Sequence, residues 1–424
     1  MSIAFPIVSW ANGSNIYEVN VRQYTKEGSI NAFVKHLPRL KDMGVSILWL
    51  MPITPVSIEK RQGSYGSHYA ASSYIDIDPL YGTDNDFQKL IKEVHRLGMK
   101  IIIDWVANHT GYDHQWTVKF PHFYHKNPEG DFTGLHGWID VIDLNYAIPE
   151  MRKEMIRSMK HWIKNFDIDG FRCDMARTVP LDFWREARKE CDTIKPLLWL
   201  AECEVVEYHE VFDITYGWLA MRALDKYFST GSVTLWKIKN ILKGYANYLA
   251  GTRKLLFTSN HDENTYYGTE YEKYGEAAHA VAVLTCTWPG IPLVYSGQEL
   301  PNKRRLSFFE KDAIDWKFPV ELHNFYKTLL NFRKENKAMH QGADVRIIKP
   351  GHDSLLCYLC RNGKNKVLVF LNFGKHTIDL KLNEPEIEGR YIDLFRNEKI
   401  EITSKQKFAL QPGGCKVYYI NEDA

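Results

Sequence analysis

Eight short apolar runs alternate with helix-period segments over roughly the first 340 residues. They predict an α/β protein built as a (β/α)8 TIM barrel. Two interruptions complete the predicted architecture. An aromatic-rich insert follows the third run, and helix periodicity stops near residue 339, where short alternating segments take over. The runs are apolar at successive positions, as parallel strands buried on both faces should be. An open doubly wound sheet is the competing α/β arrangement. It usually places a glycine-rich phosphate turn after its first strand, and none is present.

The strand candidates are residues 16–21, 46–51, 100–105, 171–174, 197–201, 211–215, 255–258 and 293–296. Between them, residues 31–43 repeat Phe33, Leu37, Leu40 and Met43 at helical spacing. Residues 84–97 repeat Phe87, Leu90, Ile91, Val94 and Leu97, with Thr83 or Asp84 placed to cap the helix. Residues 149–166 repeat Met151, Met155, Met159, Trp162 and Phe166, with Pro149 suited to a first turn. The insert, residues 110–146, carries His114, Trp116, Phe120, Phe123, Tyr124 and Trp138; it is too long for a simple loop and reads as a small excursion domain. Residues 355–359, 367–373, 378–382, 408–410 and 415–420 alternate as strands between turn clusters such as Arg361-Asn362-Gly363-Lys364-Asn365. The expected division is a barrel over 1–109 and 147–338, an excursion over 110–146, and an antiparallel β-sandwich over 339–424.

Composition excludes several classes. The chain has 424 residues, 45% hydrophobic and 25% charged, with a formal net charge of +2, an ordinary globular balance. Its longest basic run is Lys303-Arg304-Arg305, so no nucleic-acid partner is expected. No apolar run approaches the ~18 residues that cross a bilayer, so no membrane association is expected. The N-terminus lacks the basic start and apolar core of a secretory leader, which points to the cytoplasm for the chain as written; a trimmed leader would mean export. Seven scattered cysteines form no disulfide framework. Cys357 and Cys360 form a CxxC, but inside a strand-like run with no second pair, which reads as core rather than as a metal or redox site. Oligomeric state is not legible.

The chemistry concentrates at strand ends. Asp174 ends the fourth run, Glu202 follows the fifth and Asp262 follows the seventh. A carboxylate just past a buried strand is costly unless it faces a solvated site, and a barrel gathers such ends at one rim. Asp104, Asn108 and His109 close the third run, His261 precedes Asp262, and Arg172 shares a strand face with Asp174. Several acids with an arginine and histidines suit acid–base chemistry on a neutral polar substrate, such as cleavage of a glycosidic bond by two carboxyl groups. Arg172 would hold Asp174 ionised, while burial and neighbouring acids would raise Glu202. Glu204 has the same parity as Glu202 and competes for the acid role.

DWVANH (104–109), GFRCDMA (170–176), AECE (201–204) and FTSNHDEN (257–264) resemble, in order, the four signature regions of the α-amylase family, glycoside hydrolase family thirteen. GSHYAASSYIDIDPLYGT (66–83), DLNY (143–146) and GIPLVYSGQE (290–299) extend the likeness over almost the whole chain. The resemblance implies a retaining α-glucan hydrolase that cleaves α-1,4 bonds of starch or malto-oligosaccharides and needs no organic cofactor. Asp174 matches the nucleophile, Glu202 the general acid/base and Asp262 the acid that steadies the transition state. Arg172, His109 and His261 match groups around the reacting sugar, Tyr69 the aromatic platform beneath it, and Asp104 an acid near the floor of the site. Asn108 and Asp143 match positions that hold calcium in many members, and equally suit a structural hydrogen bond. The loop after strand one lacks the ligand ladder of a second calcium loop. Ser73, Met175, Arg177 and Thr178 depart from typical α-amylases. These departures leave open a transglycosylase, a cyclomaltodextrinase or an α-1,6-acting relative.

Overall fold

The computed structural model describes residues 5–134, 136–246, 251–340, 342–382, 384–403 and 406–421. Eight parallel strands close a barrel: β1 (Ile16–Val19), β2 (Ile47–Leu50), β3 (Lys100–Trp105), β4 (Gly170–Cys173), β5 (Leu198–Ala201), β6 (Ile214–Tyr216), β7 (Arg253–Phe257) and β8 (Ile291–Tyr295). Each pairs with its sequence neighbour, and β1 closes on β8 with Ile16 opposite Leu293. Alternate residues explain the continuous apolar runs. Ile16, Ile47, Ile102, Leu198, Leu255 and Leu293 fill the barrel interior, while Tyr17, Leu48, Ile101 and Trp199 pack outward in the larger core shared with the helices. Gly170 is required where β4 meets β5, because a Cβ there would lie 2.1 Å from the Leu198 carbonyl oxygen.

The helices follow from their caps and breaks. Asp84–Arg96 starts in a full capping box between Thr83 and Asp86. Pro149–Phe166 carries its proline in the first turn, where no N–H is needed, and ends at Asp167 in the left-handed region. The single helix expected over 31–43 is instead two, Ile30–Val34 and Leu37–Met43. Pro38 has no N–H to continue the first helix and sits comfortably at the start of the second. The sixth strand also lies later than expected: residues 211–213 precede it, and Asp213 is committed to Arg188 and to the Trp199 backbone N–H.

In the insert, His109–Gly111 and Val141–Asp143 form a two-stranded antiparallel ribbon with His109 opposite Asp143. Beyond the barrel, a six-stranded antiparallel sheet has Asp344–Ile348 and Lys399–Ile402 as its edges and Cys415–Ile420 in its interior, and Ile378–Lys381 pairs with Lys407–Leu410 as a second sheet. Cys357 faces the core between these sheets, whereas Cys360 faces the barrel, its thiol 3.8 Å from the Thr287 carbonyl. Three residues apart on a strand means opposite faces, so this CxxC cannot chelate or bridge. Tyr358, on the barrel side, shares a 2.5 Å hydrogen bond with Thr287. Among the described residues, no helix is long and apolar enough to cross a membrane.

Candidate active site

Interior parity puts Glu18, Trp49, Asp104 and Arg172 at the C-terminal ends of β1 to β4. Asp174 and Glu202 lie just beyond β4 and β5, and His261 and Asp262 lie in the loop after β7. Asp174, Glu202, Asp262, Tyr69, His109 and His261 line one open cleft of about 860 Å³. Asp104 and Arg172 do not line it. Both side chains are fully buried beneath the cleft floor, where they reach the other site groups.

Arg172 organises that floor. Its Nη1 donates to Asp104 Oδ1 at 2.9 Å and to Asp174 Oδ1 at 2.8 Å. Its Nη2 lies 2.9 Å from Glu202 Oε2, and its Nε donates to Tyr216 Oη at 3.2 Å. One guanidinium thus touches three carboxyl groups, Asp104 and Asp174 buried and Glu202 partly exposed, an arrangement tolerable only because each is also hydrogen-bonded elsewhere or opens to the cleft. Asp104 Oδ2 accepts from Trp49 and from Tyr69 Oη, both at 3.2 Å. Glu202 Oε2 accepts the Met175 backbone N–H at 2.8 Å. Met175 reaches that position in the left-handed region, at φ 40° and ψ 43°, a strained conformation for a side-chain-bearing residue.

Burial sets the acidities. It raises Glu202 to about 7, with Asp174 and Asp262 adding to the rise and Arg172 opposing it. It raises Asp174 and Asp104 to about 6, held from going higher chiefly by Arg172. Burial would lower His261, but the carboxylates of Asp262 and Glu18 outweigh it and raise the imidazole to about 9. His261 is therefore an imidazolium at neutral pH. Its Nδ1–H donates to Glu18 Oε1 at 2.6 Å, and its Nε2–H donates to Tyr69 Oη at 2.8 Å, 3.5 Å from Asp262 Oδ2. Tyr69 in turn donates its own hydrogen to Asp104. Tyr69, His261 and Phe308 form a three-ring cluster, with Tyr69 stacked on each of the others at centroid distances of 5.5 and 6.1 Å and those two 6.4 Å apart. His109 is held near 4 by burial, against the pull of Asp143 and Asp140, and is a neutral ring.

The rival acid is separated by its partners. Glu204 lies on the cleft wall, where its Oε2 accepts the Leu219 N–H at 2.7 Å and its Oε1 accepts from Tyr245 Oη. The chain turns immediately after β5, the Cys203 N–H bonding to the Ala201 carbonyl at 2.9 Å, so strand parity no longer applies to residue 204. Of the departures, Ser73 donates to Asp76 at 2.6 Å, while Met175, Arg177 and Thr178 line the cleft. Asn108 Nδ2 donates to Asp143 Oδ1 at 2.9 Å, tying the barrel to the insert. Glu18 and Trp49 escaped sequence reasoning; an acid inside the otherwise apolar Ile16–Val19 strand was the available signal. Also unforeseen was Glu263 in the cleft wall, bridging Arg222, which also lines the cleft, at 3.2 Å and Lys273 at 3.0 Å.

The catalytic-domain model of alpha amylase matches residues 11–138 and 134–195. Alpha-amylase 3 of Dictyoglomus thermophilum is 27% identical over 95% of this chain and 92% of its own length. The crystal structure of a noncanonic maltogenic alpha-amylase from Thermotoga neapolitana superposes with a TM-score of 0.86 at 30% identity, covering 96% of this chain and 98% of that one. An alpha-amylase from Lactobacillus plantarum superposes with a TM-score of 0.87 at 26% identity over 96% and 99% of the two chains. With four ordered signature segments folded onto the rim of one barrel, and with relatives matched nearly end to end, this chain belongs to the α-amylase family of glycoside hydrolases.

Proposed function

We propose that the protein is a retaining α-glucan hydrolase that cleaves α-1,4 bonds of starch or malto-oligosaccharides through a glycosyl-enzyme intermediate. The observation that carries this reading is the single Arg172 guanidinium shared by Asp174 and Glu202, with Glu202 raised to about 7 and Asp174 to about 6. Double displacement needs two carboxyl groups about 5–5.5 Å apart, one protonated and one ionised. Near pH 6.5 this pair supplies both. Asp174 Oδ1 is held by Arg172, which leaves Oδ2 for attack on the anomeric carbon. Glu202 gives its proton to the departing glycosidic oxygen. As a carboxylate it then takes a proton from the water that hydrolyses the ester to Asp174. Asp262 and the His261 imidazolium brace the hydroxyls of the distorted sugar over the Tyr69 ring, and His109 offers a neutral hydrogen bond.

Asn108 Nδ2 donates to Asp143 Oδ1, a bond that ties the barrel to the insert; a calcium ion held by the two residues would replace it with the Asn108 amide oxygen. A cytoplasmic location is supported by the free cysteines and by 24% identity to an intracellular maltogenic amylase of Bacillus subtilis over 91% of this chain. The test is incubation with starch, maltotriose, pullulan and a cyclodextrin while product sizes are followed. Release of short α-1,4 oligosaccharides from starch is expected, and turnover of none of these α-glucans would sink the proposal.

A further inference from the structure

At the opposite end of the barrel from the acids, a second cavity of about 320 Å³ opens at the N-terminal ends of the strands. Three cations from distant parts of the chain converge on it. Lys41 comes from the last turn of helix Leu37–Met43, Lys100 opens β3, and Lys334 lies in the last turn of helix His323–Glu335. Trp10 forms another wall, with Lys100 Nζ 5.5 Å from its ring centroid. The carboxylate that pairs with Lys100 is shared with other cations. Asp169 takes Lys100 at 2.9 Å, His95 at 2.7 Å and Lys195 at 3.3 Å. Among the described residues, Lys41 and Lys334 have no ion pair and no side-chain hydrogen bond. Burial, and then repulsion from Lys41, push Lys334 down to about 8, with Glu335 opposing only weakly. Behind the wall, Arg253 reaches Asn12 Oδ1 at 3.3 Å with Nη2 and leaves its buried Nη1 without a partner.

Two unpaired ammonium groups beside a third that is already bridged favour a compact, multiply charged anion, because each ammonium is a point charge that gains most from a dianion it can share. Its volume suits a small ligand, and Asn12, Ser14 and Ser46 line it beside Ile47, Gly13 and Gly98. We propose that this basal cavity binds a small phosphate-bearing anion, either free phosphate or the phosphate monoester of a sugar, away from the catalytic cleft.

The test is calorimetric titration of the intact protein at pH 7 and constant ionic strength, with inorganic phosphate and with glucose 6-phosphate. Saturable binding of one equivalent is expected. The Lys41→Gln/Lys334→Gln double variant should bind at least about tenfold more weakly, since each lost charge-assisted hydrogen bond is worth about that factor. Equal affinity for the two probes would assign the site to the oxyanion alone. Tenfold tighter glucose 6-phosphate would assign it to a phosphorylated sugar, with Trp10 meeting the ring. Both lysines lie far from the acids, so the double variant should cleave maltotriose normally without phosphate and melt no lower than the parent, because a like-charge pair has gone. Asn12→Asp, a second variant, should weaken phosphate binding by adding a negative charge at the wall. No saturable heat in the parent, or an unchanged affinity in the double variant, would overturn the proposal.

Discussion

Replacing Glu202 with glutamine isolates the proton donor. Burial places this carboxyl at about 7 and Asp174 at about 6. Between about pH 6 and 7 the form with Glu202 protonated and Asp174 ionised is the most populated one. The working form is lost on both sides: below about pH 6 as Asp174 takes a proton, and above about pH 7 as Glu202 loses one. By pH 8.5 kcat/KM should fall about twentyfold from its maximum. The substituted amide has no proton to lose, so the alkaline limb should vanish while the acid limb near 6 stays. The maximum should drop by about 10²–10⁴-fold for maltotriose, and by less for an aryl α-maltoside whose leaving group needs no proton. The assay is kcat/KM for both substrates from pH 4.5 to 9 in Glu202→Gln and in Glu204→Gln. Glu204 is engaged by Leu219 and Tyr245, so its variant should keep both limbs. An alkaline limb near 7 persisting in Glu202→Gln, or disappearing only in Glu204→Gln, would refute the assignment.

Asp174→Asn should lower activity on the order of 10⁴–10⁶-fold, as loss of a nucleophile does. It should also raise stability at pH 7. An acid whose folded pKa is raised to about 6 favours the native state below about 4 and loses that favour as pH rises through 6. Removing the charge should therefore gain on the order of 3 kcal/mol by urea titration at pH 7, and little at pH 4. Arg172→Met leaves Asp104, Asp174 and Glu202 crowded without their cation, and should cost about 3–5 kcal/mol at neutral pH, measured the same way and shrinking at low pH. If the Asn108–Asp143 hydrogen bond is the working contact, a chelator should leave both melting temperature and activity unchanged; a drop of several degrees would assign calcium to that pair.

The barrel was legible because its strands are buried on both faces and its helices carry their own start and stop signals. Thr83, Pro149 and the alternating core residues act within a few positions of themselves. What escaped was set by three-dimensional depth. Parity placed Arg172 and Asp174 on one face of β4, but it could not say that residue 172 lies under the floor while residue 174 opens to the cleft. Glu18 looked like one acid in an apolar strand; only closure of β1 against β8 brings it 2.6 Å from a histidine more than 200 positions away. Glu202 and Glu204 looked equivalent until the turn after Ala201 sent them to different walls. The break at Pro38, by contrast, is readable from one missing donor, although the apolar spacing runs straight through it.

Retention turns on a covalent bond to Asp174, and that bond can be seen directly. Incubation with a 5-fluoro-α-glucosyl fluoride, whose glycosyl-enzyme forms faster than it breaks down, followed by proteolysis and mass spectrometry, locates the attached sugar. One added glycosyl unit is expected on the peptide containing Asp174, absent from Asp174→Asn and accumulating as activity falls. A label on Glu202, Glu204 or Asp262 instead, or loss of activity with no covalent sugar, would contradict the double displacement.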